Sequence, residues 1–406
     1  MLPWRTVAFK EIVSHSAFGP RFSGDLYSES GNVATLRQTD IGEHGEISYS
    51  SMPLAIIDED RFCNHFLLPG DLVISRSGAG VGTTAVFKNY HRPVLPGAFL
   101  IRFRFNANAC PDFYRYYFNS SVGRPVILSV ARGAAQPNIN ISNVELINVP
   151  LPPRRVQDSI VEILSAYDDL IENNRRRIAL LEQAVRMLYR EWFVRFRFPG
   201  HEHVKIIDGI PEGWERRTFD SVCEAVGGGT PSTAKPEFWD DGDIPWYTPT
   251  DITRNSCLAL LDSNTKITEA GLRGSSAKML PSGTVLMTSR ASVGFFGIID
   301  GPSCTNQGFI SILPKDPRSR MYLLYNLMDR VEEIRSHAGG ATYKEISKGK
   351  FKALPVVIPD MSLSREFDQH ASDLHEQVRT LHTMNKKLAQ ARDLLLPRLM
   401  NGKIVV

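Results

Sequence analysis

Residues 152–192 read PPRRVQDSIVEILSAYDDLIENNRRRIALLEQAVRMLYREW, and the spacing of their apolar side chains decides the fold. Val156, Ile160, Ile163, Tyr167 and Leu170, followed by Ile178, Leu181, Val185, Leu188 and Trp192, recur at helical steps of three and four. Pro152-Pro153 suit a helix entry, so one stripe runs along about forty residues, on the order of 60 Å at a rise of about 1.5 Å per residue. A second stripe follows the same rule through Phe367, Ala371, Leu374, Val378, Leu381, Leu388, Leu395 and Leu399. A lone helix of this kind leaves its stripe in water, and the economical partner for each is the other copy, laid antiparallel. Covering such side chains at about 1.5–3 kcal/mol each makes the pair stiff. Asn174 and Asn385 interrupt the two stripes at matching places. Each is either a solvated break or a buried polar pin that fixes register.

Working outward, the rest of the chain is also present twice, with a period of about 210 residues. Trp4–Phe9 (WRTVAF) returns as Trp214–Phe219 (WERRTF), and Thr39-Asp40-Ile41 returns as Thr250-Asp251-Ile252. The run Leu68–Arg76 (LPGDLVISR) is answered by Leu280–Arg290 (LPSGTVLMTSR), and Gly133-Ala134, Ile139, Val149 and Pro152 by Gly340-Ala341, Ile346, Val356 and Pro359. So long a period is a whole domain plus its helix rather than a solenoid. β-like runs at Leu72–Ser75, Thr84–Phe87, Phe99–Phe105, Val285–Thr288 and Gly308–Leu313, with helical stretches near Asp112–Asn119 and Arg318–His337, make each repeat an α/β domain of about 150 residues. The expected architecture is α/β (α+β): two tandem globular domains with pseudo-twofold symmetry, separated by two long antiparallel helices forming a coiled coil. The domains span 1–150 and 201–360, and the helices 151–200 and 361–406.

Composition agrees with this and excludes several classes. The 406 residues are 42% hydrophobic and 22% charged, ordinary for a globular protein, and the formal net charge is only +3. Any nucleic-acid surface must therefore come from local charge. Cys63, Cys110, Cys223, Cys257 and Cys304 are scattered with no CxxC pair, which speaks against a zinc ribbon and for buried thiols in a reducing cytoplasm. No apolar run reaches a membrane span, and MLPWRTVAFKEI lacks the pattern of a signal peptide. The expectation is a cytoplasmic protein with no membrane association.

Catalytic patterns are missing. Gly349-Lys350 and Gly402-Lys403 lack the hydroxyl residue of a Walker A loop, no Asp or Glu stands two residues before a Lys, and no Asn-Pro-Pro-Tyr-like run is present. Gly78–Gly82 (GAGVG) reads as a turn rather than a nucleotide loop, and His201-Glu202-His203 has no third ligand for a metal. Neither a metal site nor a cofactor is expected.

The segment GGGTPSTAKPEFWDDGDIPWYTPTDI at 227–252 resembles the opening of a target-recognition domain from the specificity subunits of type I restriction–modification systems. The same family is resembled by Pro211–Trp214, Ser75-Arg76 and Ser289-Arg290, Leu151-Pro152-Pro153 with Gln157, Glu191-Trp192-Phe193 and the tail Leu399–Ile404 (LMNGKI). The likeness covers nearly the whole chain in the expected order. The first domain departs from it with Gly19-Pro20-Arg21-Phe22-Ser23 where the second has Gly-Gly-Thr-Pro.

The resemblance implies a subunit that performs no chemistry. Each of its two domains reads one half of a bipartite double-stranded DNA target, and its helices set the gap. It recruits two adenine methyltransferase subunits, which use S-adenosylmethionine, and a motor–endonuclease subunit. Half-sites on one face of B-DNA repeat about every 34 Å, so rigidly linked domains select one spacing. A related system with a fused methyltransferase–nuclease, or a protein scaffold that never touches DNA, is the alternative.

Base reading needs Arg for guanine and Asn or Gln for adenine on accessible loops. Arg132, Gln136, Asn138 and Asn140 meet that need in the first domain, with Arg76 and Ser77 at the end of a strand. The second domain offers Thr248, Ser289, Arg290, Tyr343, Lys344 and Lys348, the lysines suiting phosphate contacts. The Arg175-Arg176-Arg177 run reads as a solvated helix face.

Overall fold

In both halves a short central strand carries three apolar residues in a row, because it has a core on each side. In Leu72–Ser75, Leu72 and Ile74 face one apolar cluster while Val73 faces another. In Val285–Thr288, Val285 and Met287 face one cluster and Leu286 another. Successive strand residues point to opposite faces, so three apolar residues in a row require two covered faces.

The computed structural model describes residues 4–133, 137–340, 344–404 and 406. It divides into two compact units, Met1–Leu170 with Lys387–Val406, and Ile171–Lys386. In the first unit, Leu72–Ser75 lies between Leu100–Phe105 and Thr84–Val86, and Val13–Phe18 completes an antiparallel four-stranded sheet. A three-stranded sheet places Val33–Leu36 parallel to Val94–Pro96 and antiparallel to Leu54–Ala55. Thr6–Ala8 pairs antiparallel with Asn148–Pro150. The helix Pro111–Asn119 covers one sheet face through Phe113, Tyr114 and Phe118, the last two meeting Phe9 in edge-on aromatic contacts.

The second unit repeats this plan. Its larger sheet runs Cys223–Gly227, Phe309–Pro314, Val285–Thr288 and Phe296–Ile299, with Ala259–Leu260 added as a fifth strand. Ile244–Tyr247 lies parallel to Cys304–Thr305 and antiparallel to Thr265–Ile267. Glu215–Thr218 pairs with Pro355–Ile358, as Thr6–Ala8 pairs with Asn148–Pro150. The helix expected near Arg318–His337 is two, Arg320–Asp329 and Val331–Ser336. They break at Arg330, whose non-helical backbone (ψ 21°) lets its guanidinium reach Glu333 and the carbonyl of Pro355.

The long helices span Arg154–Tyr189, extended by a π-helical turn at Arg190–Val194, and Met361–Met400. Within the first unit, Ile160 and Leu164 share a core with Leu399 and Met400. Asp168 there accepts from Tyr116 (2.5 Å) and Arg392 (2.7 Å). Burial opposes ionisation of Asp168, but Tyr116, Arg392 and Arg115 outweigh it and hold the carboxyl below its ordinary range. Within the second unit, Ile178 packs with Val378 and Leu381, and Tyr189, Trp192 and Phe193 surround Phe367. In each unit, later residues of the first helix meet earlier residues of the second, so the two run antiparallel. The apolar seam departs from the sequence reading at Leu170, which is exposed, while the neighbouring Ile171 and, about two turns earlier, Leu164 are buried. Similarly, Cys63 is exposed whereas Cys110, Cys223, Cys257 and Cys304 are buried.

Asn174 donates to Asn385 Oδ1 at 2.9 Å, and Asn385 donates to the carbonyl of Ile171 at 3.2 Å. Both side chains are buried, so of the two readings open in the sequence the register pin is the one found. Asn174→Leu alone is expected to lower stability by about 1–3 kcal/mol by leaving Asn385 Oδ1 buried and unpaired, and Asn174→Leu with Asn385→Leu to recover most of it. Urea denaturation of the three proteins checks this.

His375, on the second long helix, is held neutral to about pH 4, chiefly by burial and then by the charge of Arg320. Its ordinary value is 6.5, so between pH 6.5 and about 4 the unfolded chain takes up a proton that the folded one refuses. Stability should fall through that window as pH drops, and His375→Gln should flatten the fall in pH-dependent thermal melts.

Candidate nucleic-acid interface

The strands Leu72–Ser75 and Val285–Thr288 each run out into a loop, and the backbone beyond them sets which residues correspond. In the first unit the amide of Arg76 donates to Phe99 O (2.9 Å), and Arg76 O accepts from Ile139 (2.8 Å). In the second, Ser289 does the same with Gly308 (2.8 Å) and Ile346 (3.0 Å). The counterpart of Arg76 is therefore Ser289, and that of Arg290 is Ser77, which corrects the alignment of the two Ser-Arg pairs by one residue. Gapped matching of LVISR with VLMTSR conceals this shift; the ladder hydrogen bonds reveal it.

Both arginines nevertheless clip the same returning segment. Asn138 bridges to Ser77 and Arg132, and Glu345 bridges to Arg290 and Gly339. The guanidinium of Arg76 donates to Asn138 Oδ1 at 3.2 Å and 3.3 Å, and lies over the Phe18 ring at 4.5 Å. Arg290 binds Glu345 with two hydrogen bonds, at 3.0 Å and 3.1 Å. The first loop thus presents a half-buried arginine held by a neutral amide beside the exposed Arg132, while the second presents an arginine neutralised by a carboxylate. Lys344 and Lys348 remain exposed near it.

Arg76, Ser77, Arg132 and Asn138 are thus gathered at one loop cluster, and Ser289, Arg290 and Lys344 at its equivalent. Two other candidates serve their own backbone. Asn140 caps the helix Ile141–Glu145 by accepting from the Ser142 amide at 3.3 Å. Thr248 caps Pro249–Arg254, its amide and hydroxyl both donating to Asp251 at 2.7 Å. Ser289 is buried, with both backbone polar groups used in the ladder. Lys348 opens the helix Lys348–Ala353. Gln136 and Tyr343 lie outside the described residues. Trp246 and Tyr247 are core residues, Trp246 Nε1 donating to Gly229 O at 2.9 Å.

The repeated Thr-Asp-Ile triplets also have a local cause. Asp40 accepts from the Arg37 amide at 2.8 Å and Asp251 from the Thr248 amide at 2.7 Å, so each aspartate closes the turn that follows the central strand of the smaller sheet. Gly19 and Gly228 share an equivalent place after the first strand of the larger sheet, where a Cβ would overlap the carbonyls of Gly97 and Thr305 respectively. The two glycine turns therefore match structurally although their following residues differ.

Among the described residues, no group of three or more His, Cys, Asp or Glu side chains is placed to hold a metal ion, and no helix is long and apolar enough to cross a membrane. His201 instead sits 2.8 Å from the carbonyl of Phe198.

The model of the type I restriction modification DNA specificity domain matches residues 1–183 and 211–390. The MjaIX specificity subunit of a type I restriction enzyme from Methanocaldococcus jannaschii is 34% identical over 170 residues, 41% of this chain and 39% of that protein. The HindI specificity subunit from Haemophilus influenzae is 24% identical over 340 residues, 68% of this chain and 73% of that protein. A type I restriction–modification S subunit from M. genitalium shares the fold, with a TM-score of 0.57 at 15% identity across 98% of this chain and 96% of that one. With two matched regions covering most of its length, the chain belongs to the type I restriction modification DNA specificity family, and by that membership it is a non-catalytic specificity component.

Proposed function

We propose that the chain reads a bipartite target in double-stranded DNA and recruits the enzymes that act on it. Recognition domains at 1–150 and 201–360 each take one half-site, and the helices within 151–200 and 361–406 set the gap between the halves. The partners are two adenine methyltransferase subunits and motor–endonuclease subunits, in the cytoplasm. In the first domain the contacts are drawn from Arg76, Ser77, Arg132, Gln136, Asn138 and Asn140. In the second they are drawn from Thr248, Arg290, Tyr343, Lys344 and Lys348, the buried Ser289 serving the strand ladder instead. The observation that carries this reading is the doubled loop cluster: one strand plan, used twice, ends in the same clipped turn with different side chains on it. A shared scaffold with divergent tips suits two sites that differ in sequence.

Co-expression with methyltransferase partners, followed by mapping of methylated adenines in host DNA, is expected to show two defined segments separated by a constant run of unspecified bases. An unbroken target, or partner-dependent methylation without sequence preference, overturns the proposal. Adding one helical turn to both long helices should lengthen the gap and leave the halves intact, whereas an unchanged gap in a folded variant counts against the spacer role. Exchanging Arg132 and Asn138 should alter the first half only.

Glu345→Gln removes the carboxylate that neutralises Arg290. It is expected to tighten duplex binding and to steepen its salt dependence by about one phosphate contact. A salt titration against the parent protein measures both effects.

A further inference from the structure

The first unit carries a cleft of about 610 Å³ walled by Arg21, Phe22, Tyr27, Gln38 and Phe99. Phe99 is 59% exposed and Tyr27 44%, so two large aromatic side chains are left in water around one concavity. No acidic residue lines it. Arg37 at its edge is neutralised by Asp40 at 2.8 Å, whereas Arg21 is exposed and makes no ion pair among the described residues. Gln38 Oε1 accepts from Ser75 at 3.2 Å, which leaves the amide NH2 to donate. The cleft is continuous with the Arg76 cluster, since the Arg76 amide donates to Phe99 O.

Among the described residues, the equivalent positions of the second unit do not carry this combination. By the ladder correspondence Phe99 matches Gly308, and by the Thr-Asp-Ile turns Gln38 matches Pro249. After the shared glycine, Arg21 matches Thr230, which donates to Gln307 at 2.5 Å.

Base edges lie recessed in the grooves of a duplex and are read there by protruding elements, whereas a base that has left the stack can enter a concavity. Aromatic walls and a free amide fit a base, and an unpaired arginine at the rim fits its phosphate. We infer that this cleft seats one unstacked nucleotide of the half-site read by the first domain, its base against Phe99 and its edge read by Gln38, with Arg21 on the phosphate. Stacking on Phe99 offsets the cost of taking the base out of the helix. The inference rests on the DNA-reading proposal above and adds an asymmetry between the two halves.

The test uses the full chain with its methyltransferase partners and the mapped target, carrying 2-aminopurine at each first-half position other than the methylated adenine. One position should brighten several-fold on binding, and Phe99→Ala should abolish this and weaken binding roughly five-fold or more. Gln38→Ala should relax base preference at that position alone, and Arg21→Ala should make the salt dependence shallower, with the second half unchanged in every variant. Binding by the parent protein without brightening at any first-half position overturns the inference, as does a folded Phe99→Ala protein with parental affinity. A variant that keeps its target but loses partner assembly makes the cleft a protein-docking surface and equally overturns it. If the parent assembly shows no sequence-specific binding, the DNA-reading proposal itself fails, and the inference with it.

Discussion

A helix with a continuous apolar stripe must be covered along its whole length, and this requirement organises everything else in the chain. Two such helices run antiparallel, and in each unit their seam is shared with an α/β body: Leu399 and Met400 with the first, Val378 and Leu381 with the second. Apolar burial alone is indifferent to small slips along such a seam. The hydrogen bond between Asn174 and Asn385 is not, because a displaced register leaves both amides buried and unpaired. Polar contacts add further fixed points, among them Leu258 N to Glu182 (2.6 Å) and Met321 N to Asp368 (2.8 Å) in the second unit.

The α/β bodies show how one scaffold can carry two chemistries. Positions that hold the fold repeat: the strand with a core on each side, the aspartate closing the turn after the smaller sheet's central strand, the glycine where two backbones approach. Positions at the loop tips do not. Asn138 and Glu345 occupy the same rung yet leave their arginines in opposite electrostatic states, one held by an amide and one by a carboxylate. Divergence confined to the tips leaves the cores untouched, since those side chains contribute little to burial.

Much of the architecture was legible in the sequence, because periodicity and repetition report on burial. The helices, their antiparallel pairing and the matched asparagines all followed from spacing. Exceptions arose where tertiary contacts overrode pattern: Leu170 fits the stripe arithmetically but the seam passes through Ile171, and Arg330 breaks a run that looks continuously helical. The loop clusters were only partly visible. Arg76, Arg132 and Asn138 meet, but Asn140 and Thr248 are the residue types that cap helices, and that local use is indistinguishable in sequence from an exposed donor. The cleft beside Phe99 gave no signal at all, since its walls come from three separate turns.

Leu399 and Met400 belong to the core that also holds Ile160 and Leu164, so the body built mostly from earlier residues needs residues that follow the whole of the second. Until Lys387–Val406 is made, that body presents an open apolar seam on its own helix, while the second can close around residues already synthesised. Removal of Lys387–Val406 should therefore injure the first body before the second. The high sequence separation of these contacts also raises the entropic cost of closing them.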